Sequence, residues 1–236
     1  MPVAVNKAIV LPFLASIAML TSCGEVQDEK VLTLAHGLDE GHTVHRAMVL
    51  MGERLEEYSD GQLRIAIYSG GQLGSERETL ELLQIGSLAM TKVSASPLEG
   101  FVPTLKLFSI PYIFKDRDHH LRVLDSEIGE HLLDSLQVAR LKGLGYYDAG
   151  SRSFYTNRRP INSPADLEGL KIRVMKSQTS VRMVAELGGS PTPISLGEIY
   201  TALQQGVVDG AENNPPTFHR MRHYEAAGYF SLDEHT

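Results

Sequence analysis

Hydrophobic and polar positions along this chain keep two different rhythms, and the rhythm switches repeatedly between them. Val31 to Ala35 is a short apolar run ending at His36-Gly37, which reads as a strand. Val44, Met48, Met51, Leu55 and Tyr58 then recur at spacings of four and three, predicting one apolar stripe on a helix that Asp60-Gly61 ends as a turn. Leu63, Ile65 and Ile67 alternate with Gln62, Arg64 and Ala66, the period of a strand. Gly70-Gly71 opens a loop, and Ser75 with Glu78 has the spacing of a capping box, so a helix starts at Ser75 and runs through Leu80 and Leu83 to Gly86. Leu88 to Val93 reads as the next strand, a third helix carries Leu121, Leu124, Ile128 and Leu132, and Leu144 to Tyr147 reads as another strand.

The second half repeats this logic. Ser163-Pro164-Ala165-Asp166 places a cap, a proline at the first helical position and an acid at the third. Lys171 to Met175 alternates like a strand, Gln178 to Leu187 reads as a helix stopped by Gly188-Gly189, and Ser195 with Glu198 forms another capping box. Val207-Val208 reads as a short strand that Pro215-Pro216 keeps from continuing, and Tyr229 to Leu232 as a last strand. Such alternation implies an α/β fold, a mostly parallel sheet with helices on its faces, whose ligands collect at the carboxyl ends of the strands.

The first 22 residues follow neither rhythm. Lys7 is the only charged side chain there, and the apolar run from Ala8 to Leu20 is interrupted by Pro12 and Ser16. A spanning helix needs about 20 apolar residues, so this stretch suits an export signal instead. Cys23 is the sole cysteine and follows Leu20-Thr21-Ser22 directly, which resembles the lipobox of bacterial lipoproteins. The expected organisation is a signal peptide over residues 1–22, an acylated Cys23 with a polar tether over residues 23–30, and the folded chain beyond, outside the cytoplasm on a lipid anchor.

A net charge of -7 leaves no basic surplus to neutralise phosphates, which argues against nucleic-acid binding. Nucleophile-elbow, P-loop and H-E-x-x-H signatures are all missing from the sequence, and no cofactor is expected. Asp209 and Glu212 form a candidate acid-base pair, but Asp209 sits in a V-V-D-G turn that favours a structural hydrogen bond. His42 with His45 and His219 with His223 have helical spacing, yet nothing fixes a third ligand, so these read as surface histidines and no metal is expected. Arg173 stands inside the otherwise apolar strand I-R-V, where an inward guanidinium needs an acceptor. Arg152 follows a glycine-containing turn, and Asn213 lies beyond the V-V-D-G turn. Two guanidiniums beside an amide suit the capture of a small organic acid.

Gly71-Gln72-Leu73-Gly74-Ser75-Glu76-Arg77, Gly169 to Val174, Pro191-Thr192-Pro193 and the run from Tyr200 to Asn213 resemble the DctP-type solute-binding subunits of TRAP transporters. The resemblance runs from about Val31 to the last residue. It implies a periplasmic-binding-protein-like clamshell of the two-lobe, class II type, with a first α/β lobe over residues 31–149 and a second over residues 150–236. It also implies a chain that is C-terminally incomplete, without the segment that returns to the first lobe. The implied partners are a carboxylate ligand and the membrane permease subunits, driven by a sodium gradient. Carried over by position, Arg173 forms the main salt bridge to the ligand carboxylate, Arg152 is a second ligand-side arginine and Asn213 completes the clamp. Glu76, Lys92, Asn214 and the surroundings of His36 would serve the ligand hydroxyls. The stretches Met90 to Ser94 and Ala211 to Pro215 look most like members taking glucuronate or galacturonate. A C4-dicarboxylate is the alternative within the family, and a sugar-acid lyase or isomerase using Glu76 and Lys92 the alternative outside it.

Overall fold

The computed structural model describes Met1 and residues 29–236, so the expected signal, tether and Cys23 lie outside the described residues. The first lobe opens with β1 (Lys30–His36), α1 (Thr43–Tyr58), β2 (Leu63–Tyr68), α2 (Glu76–Gln84) and β3 (Met90–Lys92). Its three strands pair in the order β2-β1-β3, all parallel. The α1 stripe buries Val44 and Met48 against Leu34 and Leu38, while Tyr58 at its end is 80% exposed, so the stripe is core only over its first turns. The capping box at Ser75 and Glu78 is present, and α2 begins at Glu76. A short α3 (Ala95–Leu98) and a 3-10 turn (Pro103–Ser109) follow, packing Leu98, Val102 and Leu105 onto Leu80 and Leu132.

The third predicted helix is two, α4 (Arg117–Leu124) and α5 (Glu127–Ser135). Ser126 breaks it: its hydroxyl accepts from the Ile128 N–H at 3.2 Å, starting a new helix where the apolar period alone reads as continuous. The strand expected at Leu144 to Tyr147 does not form. Leu144 is 72% exposed, Asp148 is tied to Arg117 and to the Gly150 N–H, and the segment is a connector between lobes without a ladder partner among the described residues.

The second lobe holds β4 (Ser153–Thr156), β5 (Lys171–Val174), α6 (Gln178–Glu186), β6 (Ser190–Pro193), α7 (Ile199–Gln204), β7 (Gly210–Asn213), α8 (Pro215–Arg220) and β8 (Tyr229–Ser231). The order is β6-β5-β7-β4-β8, with β5 parallel to β6 and β7, and β4 antiparallel to β7 and β8. The sheet is therefore mixed rather than mostly parallel. The Ser163 cap starts only one 3-10 turn (Pro164–Leu167). The strand expected at Val207-Val208 begins instead at Gly210. Val207 and Val208 both return their N–H to Ala202, closing a helix end. Gly210 is required there, because a Cβ would stand 2.5 Å from the Tyr155 carbonyl oxygen on the neighbouring strand. One face buries Phe154, Ile172, Val174 and Val184, the other Tyr155, Ile199, Leu203 and Ala211. Beyond β8 the chain runs back toward the first lobe, where the Tyr112 N–H donates to the His235 carbonyl at 2.8 Å.

Candidate functional site

Strand direction decides which side chains meet. In the first lobe, His36 ends β1, Lys92 ends β3 directly opposite it in register, and Glu76 opens α2 after β2. In the second, Arg173 stands near the end of β5 and Asn213 at the end of β7, while β4, running the other way, begins beside Arg152. His36, Lys92, Arg173 and Asn213 lie at the carboxyl ends of parallel strands, where open α/β sheets bind ligands, and Arg152 and Glu76 join them from the start of antiparallel β4 and the start of α2. The lobes are apposed around them. Glu76 favours the charged forms of both Arg152 and Arg173, and Arg152 opposes that of Lys92. On one side Thr217 of α8 reaches His42 Nε2 at 3.4 Å, and Leu196 packs onto the Leu34 and Val44 cluster.

Arg173 is 3% exposed. Its Nε donates to the Ile194 carbonyl at 2.8 Å, and its buried Nη1 has no hydrogen-bond partner among the described residues. Burial pulls its pKa down, against the pull of Glu212. Its register partner on β7 is the small, buried Ala211. Arg152 is occupied differently. Its Nε pairs with the Glu212 carboxylate, its Nη2 donates to the Glu212 carbonyl at 2.7 Å and its Nη1 to Asn213 Oδ1 at 3.1 Å. Burial works against the Arg152 charge, but Glu212 outweighs it and the pKa rises. Glu212 in turn is held down at about 2: burial pushes it up, and Arg152 and His235 overcome that.

Asn213 Oδ1 accepts from Arg152 and from the Asn214 N–H, while Asn214 caps α8 through its own Oδ1 to the Thr217 N–H at 2.9 Å. Asn213 Oδ1 thus accepts two bonds and Asn214 Oδ1 one, and because an anion can only accept, the NH₂ groups are what both asparagines can offer it. Across the cleft, Glu76 Oε1 accepts from the Ser94 N–H at 2.7 Å and the Ser94 hydroxyl at 2.9 Å, which leaves Oε2 as an acceptor. The Lys92 ammonium makes no hydrogen bond or ion pair among the described residues, and burial lowers its pKa despite Glu76. His36 Nδ1 accepts from the Leu38 N–H at 3.1 Å, so Nε2 carries the proton and donates to His45 Nδ1 at 3.0 Å. His36 is thereby spent on both nitrogens, and the half-buried His45 presents the remaining ring N–H.

Asp209 and Glu212 do not work as a pair. Asp209 holds the Lys171 N–H at 2.9 Å and Arg158 at 2.6 Å, which pins β5, whereas Glu212 answers to Arg152. The surface reading of the histidine pairs fails for His42 and His223, which are 1% and 0% exposed. Among the described residues no group of three or more histidines, cysteines and acids is arranged to hold a metal. Sequence reasoning did not find His235 or Tyr155, read His223 only as a surface histidine, and weighed Glu212 only as an acid. His235 Nδ1 meets Asp233 at 2.6 Å, its Nε2 lies 3.8 Å from Glu212, and its ring stacks on Phe154. His223 Nδ1 meets the Tyr155 hydroxyl at 2.7 Å. A buried arginine pair demanding a counter-charge was the available signal for Glu212.

The family model for the DctP proteins, bacterial extracellular solute-binding protein family 7, matches residues 34–236. A Salmonella typhimurium protein, YiiZ, is 39% identical over 225 residues, 94% of this chain and 68% of its own length. A TRAP periplasmic solute-binding protein from Bradyrhizobium, solved with galacturonate, is 42% identical with a TM-score of 0.84, over 87% of this chain and 69% of its own. A counterpart from Roseobacter denitrificans, solved with β-D-glucuronate, is 39% identical with a TM-score of 0.85, over 87% and 68%. The chain thus spans about two thirds of the length of these relatives and shares their two-lobe periplasmic-binding fold.

Proposed function

Because the chain belongs to the family 7 bacterial extracellular solute-binding proteins, whose members are transport receptors, we propose that it is the extracytoplasmic receptor of a TRAP transporter and closes on a hexuronate. One observation carries this reading: the guanidinium of Arg173, a residue only 3% exposed, with one nitrogen lacking any partner among the described residues, at the carboxyl edge of an interior strand. Leaving a charged donor buried and unpaired is costly, and a ligand carboxylate relieves it. In this reading Arg173 takes the carboxylate, Arg152 and Asn213 orient it, and Lys92, Glu76, Asn214 and the His36–His45 pair meet the hydroxyls. The lobes span residues 31–149 and 150–236.

Charge counting favours a monoanion. Counted by formal charge, Arg152, Arg173 and Lys92 stand against Glu76 and Glu212, a surplus of one, and adding the His235–Asp233 ion pair leaves that surplus unchanged. A uronate cancels it, whereas a dicarboxylate overshoots. The solved relatives carrying galacturonate and glucuronate point the same way. Delivery to the membrane permease and a lipid anchor at Cys23 complete the proposal. Among the described residues no helix is long and apolar enough to cross a membrane.

Calorimetric titration with galacturonate, glucuronate and succinate tests this reading. Uronates bind in the micromolar range or tighter and succinate at least about tenfold more weakly. Arg173→Ala weakens uronate binding by about a hundredfold or more, since charge-assisted bonds are worth roughly 1.5 to 3 kcal/mol each. Arg173→Lys, which keeps the charge but loses the fork, recovers only part of it. Unchanged uronate binding in Arg173→Ala would refute the assignment.

A further inference from the structure

We propose that Glu99 is a latch between the lobes, a positioning residue that keeps the cleft shut by capping a helix of the opposite lobe. This rests on the reading of the chain as a receptor that closes on its ligand. Glu99 directly follows α3, and the residues around it, Leu98, Phe101 and Val102, are embedded in the first-lobe cluster with Leu80 and Leu132. Its carboxylate points out of that lobe. Oε2 accepts from the Ser177 hydroxyl at 2.9 Å and Oε1 from the Thr179 N–H at 3.0 Å. Ser177 and Thr179 open α6, whose Val184 and Met183 belong to the second-lobe cluster with Val174 and Ile172. Each end of this contact is therefore anchored in a different core.

Chemistry makes the contact strong for its size. The first N–H groups of a helix have no partner within the helix and sit at the positive end of its dipole, so a carboxylate there is doubly suited. Ser177 already serves the Ser180 N–H at 3.1 Å, and Glu99 supplies the acceptor for Thr179 that the helix itself lacks. The bond lies at the rim. Glu99 lines, with Lys106 and Arg182, a crevice of about 210 Å³ between the lobes, so separating the lobes exposes both partners to water. α6 also follows β5 by the short link after Val174, so holding α6 against the first lobe holds Arg173 over the cleft. The contact exists only while the lobes are together. It touches no residue proposed to touch the ligand, so it governs how long the cleft stays closed and not which acid is chosen.

The test measures lobe separation and ligand release together. Spin labels at cysteines replacing the exposed Glu57 and Lys171, in a Cys23→Ser background, report the distance between lobes with and without galacturonate, and stopped-flow gives the rates. Glu99→Ala is expected to enlarge the long-distance population and to raise the dissociation rate about tenfold, with the association rate changed less than about threefold and the galacturonate-to-glucuronate preference unchanged. Glu99→Gln and Ser177→Ala, each keeping part of the contact, fall between. If Glu99→Ala merely lowers the melting temperature while distances and dissociation stay as in the parent, Glu99 is structural and the latch is wrong. If the parent binds no uronate but Glu99→Ala still widens the ligand-free distances, the latch stands and the uronate reading falls instead.

Discussion

Arg152 and Glu212 illustrate how much one buried pair decides. Glu212 is 2% exposed and the Arg152 side chain 14%, so neither charge is paid for by solvent and each depends on the other. Removing one partner strands the other. Glu212→Gln is expected to cost about 3 to 5 kcal/mol in urea unfolding, the usual penalty for leaving a buried charge without its counter-ion. Replacing both, Arg152→Met with Glu212→Leu, is expected to recover most of that loss, because the desolvation cost disappears with the charges. The double variant should still bind uronate poorly, since Asn213 loses the guanidinium that holds its Oδ1. A double variant as unstable as Glu212→Gln alone would show that packing, not charge, governs the site.

At the scale of elements, β7 carries both Glu212 and Asn213, and its seating depends on Gly210. A Cβ at this position would stand 2.5 Å from the Tyr155 carbonyl and 2.9 Å from Thr156 Cγ2, so the strand must move off β4 to admit it. Gly210→Ala is therefore expected to destabilise the chain by about 1 to 3 kcal/mol and to weaken uronate binding through the displaced Asn213. Calorimetry on a variant with intact affinity would contradict this. The same elements show what was legible in sequence. Capping boxes at Ser75 and Ser195 and the cap at Ser163 were readable because they rest on contacts three residues apart, and all three formed, Ser163 as a further capping box on a 3-10 turn. Strand periodicity gave β1, β2, β5 and β8 to within about two residues. It failed at Leu144 to Tyr147 and at Val207, where apolar composition was present but no neighbouring strand supplied the ladder. Arg173 was visible because a charge interrupts an apolar run. Glu212 and His235 were not, because their roles come from register and from a pairing across 23 residues that no local spacing encodes.

At the scale of the whole molecule, the buried titratable groups make stability depend on pH with opposing signs. His36 and His223 are held neutral, each with its pKa lowered to about 4, chiefly by burial, with His45 and Lys92 adding to it at His36 and Arg173 at His223. In the unfolded chain both titrate near 6.5, so between pH 6.5 and about 4 unfolding takes up protons that the native state refuses, and stability falls as pH falls. Each such group contributes a slope of at most about 1.4 kcal/mol per pH unit. Glu212 adds a second window. Its depressed pKa stabilises the fold above the ordinary carboxylate range, and that contribution is lost as pH drops from about 4.5 toward 2. His235 runs the other way. Burial opposes its charge, but Asp233 and Glu212 raise its pKa, so its contribution is present below 6.5 and fades as pH rises through its raised value. The expected profile is a stability maximum near neutrality with a steep acid limb. Urea midpoints measured from pH 8 to pH 4 check it. His223→Gln, which keeps a hydrogen-bonding partner for Tyr155, should lower stability at pH 7 yet flatten the limb between pH 6 and pH 4.5 by about one proton. A limb of unchanged slope in that variant would place the acid sensitivity in other groups, with His223 already charged in the native fold.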